Sequence, residues 1–296
     1  MTNSTIKDMK KLWWFNKLKD GTFSIEGYRF DTSSMVIPEY IGKTPVTAIA
    51  PDAFYGRNDL ESVSIPQSIT KIGDNAFKMC KNLHTVTLTE GVKSIGAGAF
   101  EGCENLTSIV IPKSVKKIET GAFCKCKGLA DENGFVIIKN TLYSYYGDAE
   151  NVTIPNGIKI IDQEAFRHCQ NLSSIIIPVG VKSIGAFAFD NCTNLTSVSI
   201  PETVKIIDGF AFKACSNLES IAIPEGVTSL DGGVFQYCYK LKSLHLPASL
   251  TKIGDFAFSS FDNLTISTPA NSHVVDIIAN HARIHSNYSK IQIIEI

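Results

Sequence analysis

The chain has 296 residues, of which 44% are apolar and 19% charged, so it can bury a core and is not disordered. Its formal net charge of −1 argues against a nucleic-acid binder, which needs a basic face to displace counterions. No run of about 18 apolar residues is present to span a membrane as a helix.

The first eleven residues read MTNSTIKDMKK and lack the apolar run of a signal peptide. The expectation is that the chain either stays inside the cell or has its export segment outside this sequence. Residues 1–30 carry Trp13, Trp14, Phe15, Phe23 and Tyr28 and are expected to form an N-terminal cap, a helix followed by a strand pair.

From residue 31 to 266 a repeat takes over. Phenylalanines fall at 54, 77, 100, 123, 166, 189, 212, 235 and 258, at steps of 23 except for one step of 43. All follow an alanine except Phe235, which follows Val234. Cysteines stand three residues later, from Cys80 to Cys238. An unbroken leucine column stands six later, from Leu60 to Leu264. Apolar residues fill the ninth and eleventh positions, as at Val198 and Ile200, and a proline such as Pro201 follows. The stretch from Ser197 to Ile200 alternates in and out, which predicts a short strand. Proline ends it because it cannot donate to a ladder. Val204 to Ile207 predicts a second short strand, and Ala211, Phe212 and Cys215 share one face of a helical turn. Each coil is therefore expected to be strand, turn, strand and a single helical turn, an α/β repeat. No coil can bury its apolar face alone, so the coils stack. At 4.8 Å per strand, about ten coils make one elongated array of about 50 Å.

Three departures follow along the chain. The first unit, from Pro38 to Phe54, is five residues longer than the others. The step of 43 contains an extra coil of 20 residues at about 130–150, with apolar-alternating runs on either side of Lys139-Asn140 that predict a hairpin. This coil lacks the Ala-Phe turn and carries Tyr143, Tyr145 and Tyr146, and the pattern resumes at Val152, Ile154 and Pro155. Residues 267–296 are expected to form a C-terminal cap, with a helix at 272–282 and a strand at 290–296.

Units such as NLTSVSIPETVKIIDGFAFKAC at 194–215 resemble the leucine-rich repeats of the BspA-like family. The resemblance covers roughly residues 22–266. It implies a right-handed leucine-rich-repeat solenoid. It also implies a surface protein of the kind implicated in adhesion.

Candidate surfaces are read from the columns. The outward strand positions eight residues after the phenylalanine hold Ser62, Thr85, Ser108, Ser174, Ser197, Ser220 and Ser243. Those ten after it hold Ser64, Thr87, Val110, Ile176, Ser199, Ala222 and His245. This flat, neutral sheet face suits an extended protein partner, although serine and threonine also simply pack well on strands. It has no aromatic platform for carbohydrate. Phe187, Phe210 and Phe256, two residues before the column phenylalanines, are expected to point outward as an alternative interface or a self-association surface. Lys71, Lys93, Lys116, Lys159, Lys182, Lys205 and Lys252 read as a solvated face that blocks aggregation.

The cysteine column reads as small buried core residues, with Cys124, off the column, as the expected exposed thiol. His281 and His285 are four apart near His273, but no further ligand completes a metal site. His84 and His168 read as surface. Sequons such as Asn105-Leu-Thr arise from the repeat itself. No phosphate loop, carboxylate pair or Ser-His-Asp arrangement stands out. The sequence reading is a non-enzymatic protein-binding module without cofactor, metal, nucleic-acid partner or membrane insertion. By resemblance it is adhesin-like; an intracellular scaffold or assembly subunit is the alternative.

Overall fold

The computed structural model describes residues 6–258, 263–270, 272–284 and 291–296, except for the side chains of 280–284. The chain divides at Val136 into two compact units, each a strand-based solenoid.

In the first unit, the helix Ile6–Leu12 leads into Trp13–Lys17, which pairs antiparallel with Phe23–Tyr28. Two parallel ladders then run coil to coil. One joins Ser34–Val36, Ser62–Ile65, Thr85–Leu88 and Ser108–Ile109. The other joins Phe23–Tyr28, Thr44–Ile49, Lys71–Ile72, Ser94–Ile95 and Lys117–Ile118. The five extra residues of the first coil form a small antiparallel pairing of Tyr40 and Ile41 with Pro45 and Thr44, turned at Gly42 with φ +65°.

In the second unit the matching ladder joins Asn151–Thr153, Ser174–Ile176, Ser197–Ser199, Ser220–Ala222, Ser243–His245, Leu264–Thr268 and Ile291–Glu295. The short second strands, from Ile160–Ile161 to Lys252–Ile253, step alongside in two parallel sets. The strands Phe135–Ile138 and Thr141–Tyr145 flank the expected turn at Lys139-Asn140. The second helix is Val274–Ile284. Ser243 pairs with Thr265, a step of 22 residues. Leu264 therefore enters a strand instead of continuing the leucine column.

The core is the stack of repeat columns. Ala76, Phe77, Cys80 and Leu83 are fully buried, and most of their counterparts are buried too; Ala53, Leu129 and Cys169 are half-buried. In the first unit the rings of Phe54, Phe77, Phe100 and Phe123 stack at 5.0, 5.3 and 5.4 Å. In the second, Phe166, Phe189, Phe212, Phe235 and Phe258 follow at 5.1, 5.2, 5.9 and 6.4 Å. These spacings suit offset-stacked rings, and burying each ring contributes roughly 2 kcal/mol.

Among the described residues the expected single helical turn at the column phenylalanines is absent. Residues 73–80 form a run of tight turns instead. Ala76, Lys78 and Cys80 donate their N–H three residues back, while Asn75, Phe77 and Met79 donate to Ala97, Ala99 and Glu101 of the next coil. An α-helix directs every N–H along its own axis, whereas here alternate ones must face the neighbouring coil. The alternation is made by left-handed residues two before and two after the phenylalanine, such as Asn75 (φ 53°) and Met79 (φ 61°). The same pair recurs at Phe210 and Ala214, with φ 60° and 55°. Such angles disfavour any residue with a Cβ.

Arg57 occupies the cysteine position of the first coil. Its guanidinium donates to the carbonyls of Tyr28 (2.9 Å) and Phe30 (2.6 Å), and to both carboxylate oxygens of Asp59 at 2.8 and 2.7 Å. Asp59 also accepts from the N–H of Thr32. This fork ties the first strands to the first coil and holds Asp59 at about 2, below its ordinary 3.8.

Two predictions follow from these contacts. The charged form of Asp59 favours the fold, so its contribution is full above the ordinary carboxylate range and is lost as pH falls through about 2. Asp59→Asn should lower stability at neutral pH by about 1–2 kcal/mol. In urea melts, the gap from the parent should close as pH drops from 3.8 to about 2. A gap independent of pH would contradict the assignment. Separately, Ala214→Gly should leave stability unchanged or raise it by up to about 1 kcal/mol, because it relieves a left-handed alanine. Ala211→Gly, in the buried column three residues earlier, should cost about 1–2 kcal/mol; equal losses would refute the role of the turn geometry.

Candidate functional site

The sheet ladder of each unit carries side chains alternately inward and outward, because strand residues alternate faces. In the second unit, Val198, Ile221 and Leu244 are buried, while Ser197, Ser199, Ser220 and Ser243 between them are exposed. Ser174 and His245 are half-buried on the same face. A shallow groove of about 370 Å³ lies there, lined by Ser197, Ser199, Ser220, Ala222, Ser243 and His245 with their strand neighbours. Ile176, 58% exposed, stands in the same column one strand before Ser199. Serine hydroxyls link along the ladder to their neighbours, as Ser174 does to Asn151 Oδ1 at 2.6 Å. His245 Nδ1 lies 3.1 Å from Ser267 Oγ.

The first unit presents the same arrangement. Thr85, Thr87 and Ser108 are exposed, and Ser62 and Ser64 are half-buried. Ser62 Oγ donates to Ser34 Oγ at 3.0 Å. Val110 is 76% exposed at the end of this ladder. The sequence-predicted columns thus lie outward within each unit, on small neutral side chains interrupted by Val110, Ile176 and His245.

Phe187 and Phe210 are half-buried because they cover one another, ring on ring at 4.9 Å. Lys213 Nζ lies 5.9 and 5.7 Å from the two ring centres, and the Arg167 guanidinium lies 5.7 Å from Phe187. Gly233, the next residue in that column, leaves room for the Phe210 ring where any Cβ would collide. Phe256 is 55% exposed, and Tyr237 and Tyr239 face each other at 6.1 Å. All seven lysines of the predicted column are exposed.

The cysteine column does more than fill space. Cys80, Cys103, Cys126, Cys192, Cys215 and Cys238 each donate Sγ–H to the carbonyl of the phenylalanine one coil back, at 3.0–3.2 Å. Burial pushes these thiols up, to about 12 for Cys80, Cys126 and Cys238. No cysteine is in a disulfide. Cys124, expected at the surface, is buried, although the same position is exposed at Tyr55 and Arg167 and half-buried at Lys78 and Lys213. Cys169 is the half-buried one, and burial raises it only to about 11. Among the described residues no group of three or more His, Cys, Asp or Glu side chains is placed to hold a metal ion. His273 is exposed. His285 and the His281 side chain lie outside the described residues.

The family profile of the BspA-type leucine-rich-repeat region matches residues 15–132 and 136–265, in six copies. The chain belongs to this family. Among solved structures, it is similar to a leucine-rich-repeat protein of T. pallidum, with 31% identity and a TM-score of 0.47 over 70% of this chain and 88% of that one. It is also similar to a leucine-rich cell surface protein of Faecalibacterium prausnitzii A2-165, with 26% identity and a TM-score of 0.45 over 90% and 95%. No curated protein matches the chain. Among the described residues no helix is long and apolar enough to cross a membrane.

In this BspA-type array the thiols should behave as core groups. Native protein treated with a thiol reagent at neutral pH should show slow labelling, with Cys169 modified first and Cys124 protected. Rapid labelling of the Cys80 to Cys238 column in folded protein would contradict the thiol–carbonyl bonds.

Proposed function

We propose that the chain is a non-enzymatic protein-binding module of adhesin type, whose partner docks on the outward serine and threonine columns of the sheet faces. The observation that carries this reading is the combination of small outward side chains with the shallow groove at Ser197, Ser199, Ser220 and Ser243. A partner backbone can approach closely where no bulky side chain intervenes, and the hydroxyls offer it both donors and acceptors. The buried columns beneath fix that surface in advance, which lowers the entropic cost of association. The F. prausnitzii relative is a cell surface protein, which favours the same setting for this chain. On this reading residues 1–30 and 267–296 close the two ends of the array.

A second reading rests on the Phe187–Phe210 stack with exposed Phe256: self-association of a scaffold or assembly subunit through the turn side.

The two are separated by paired variants. Ser197→Glu with Ser220→Glu places charge on exposed positions, so folding should be retained while partner capture falls by at least about tenfold. Phe187→Ser with Phe210→Ser should spare capture. If the glutamate variant captures normally and the serine variant does not, the turn side is the interface and the sheet-face assignment fails.

A further inference from the structure

The coil that precedes Asn151 omits two core side chains, and a cleft opens where they are missing. Tyr145 stands in the phenylalanine column. Its N–H donates to Ala165, as that of Phe166 donates to Ala188, and its ring lies 5.2 Å from Phe166. Asn151 then pairs with Ser174. The turn between Tyr145 and Asn151 is Tyr146-Gly147-Asp148-Ala149-Glu150, two residues shorter than in a full coil. It supplies neither the cysteine nor the leucine that cover the next coil elsewhere in the unit.

The consequence is seen on that next coil. Cys169 is half-buried, whereas Cys192, Cys215 and Cys238 are fully buried. A cleft of about 430 Å³ lies beside it, walled by Tyr146, Asp148, Arg167, His168, Gln170 and Asn171. That volume is within the range of small-molecule sites.

We propose that this cleft binds a neutral saccharide. A sugar needs closely spaced donors and acceptors for neighbouring hydroxyls. The Asp148 carboxylate accepts, and the Gln170 and Asn171 amides both donate and accept. The half-exposed Tyr146 ring offers the flat apolar wall on which a pyranose C–H face rests, drawn by the negative face of the ring. The outward serine and threonine columns carry no phenylalanine, tyrosine or tryptophan.

The wall is held in place before any ligand arrives. Arg167 is fixed by Glu164 at 3.2 Å and by buried Asp190 at 3.0 Å. His168 Nδ1 lies 2.8 Å from Asn191 Nδ2, and its backbone N–H donates to Asp190. Because the Arg167 charge is already answered by two carboxylates, Asp148 leaves the cleft unfavourable to anions, which selects neutral sugars over uronates and phosphates. The site is separate from the sheet-face docking surface and stands or falls without it.

The test is saturation-transfer NMR on the intact chain with glucose, galactose, mannose and N-acetylglucosamine at millimolar concentration, and glucuronate as the charged comparison. At least one neutral sugar should receive transfer and exceed glucuronate. Tyr146→Ala and Asp148→Ala, both at exposed positions, should each weaken binding by about tenfold or more. The Ser197→Glu/Ser220→Glu variant should bind the sugar as the parent does. Absence of transfer from every neutral sugar overturns the proposal, as does transfer that survives both cleft substitutions.

Discussion

Each core phenylalanine carbonyl in the middle of a unit binds two donors, and the rest of the structure depends on that arrangement. Phe77 O accepts from the N–H of Cys80 in its own coil and from the thiol of Cys103 in the next. The N–H of Phe77 meanwhile donates forward to Ala99. A buried carbonyl with unfilled hydrogen-bonding capacity costs free energy, so each coil needs its neighbour for polar reasons as well as apolar ones. Ring stacking at about 5 Å follows the same spacing as the strand ladders. A fixed step in the core imposes a fixed step on the surface, and that is what orders the outward serines.

The lattice is informative where it is interrupted. Arg57 replaces the first thiol and reaches back to Tyr28 and Phe30. Tyr145 replaces a phenylalanine in a coil too short to carry the cysteine and leucine. Gly233 makes room for the Phe210 ring. Each exception places a group that the repeat cannot supply: a charged fork, an open cleft, and a partly exposed aromatic stack. The regular columns offer the same chemistry at every step, and these exceptions add a different chemistry at single places.

Much of this was legible in the sequence, since columns at a fixed period report burial directly. Phe212, Cys215 and Leu218 are all fully buried, and the outward placement of Ser197 and Ser220 follows from alternation. The helical turn was misread because Ala211, Phe212 and Cys215 satisfy helical spacing while their N–H groups take different partners, and spacing carries no record of partners. The left-handed pair at Phe210 and Ala214 gave little signal, since glycine occupies those columns only in some coils, as at Gly98 and Gly102. The role of Tyr145 was hidden by the missing residues that displace it from the period. The cleft beside Cys169 was implied by the same shortening, had the absent cysteine and leucine been read as absent cover.

Inter-coil bonds at the phenylalanine column make a rigid lattice beneath the sheet faces. Native-state hydrogen exchange tests this most directly, because protection reports the free energy of local opening. The amides of Phe77, Phe189 and Phe212, which donate to Ala99, Ala211 and Val234, should be among the slowest to exchange in their units. They should approach the protection set by global unfolding. Exchange at these amides as fast as at the exposed turn residues Glu202 and Glu225 would contradict it.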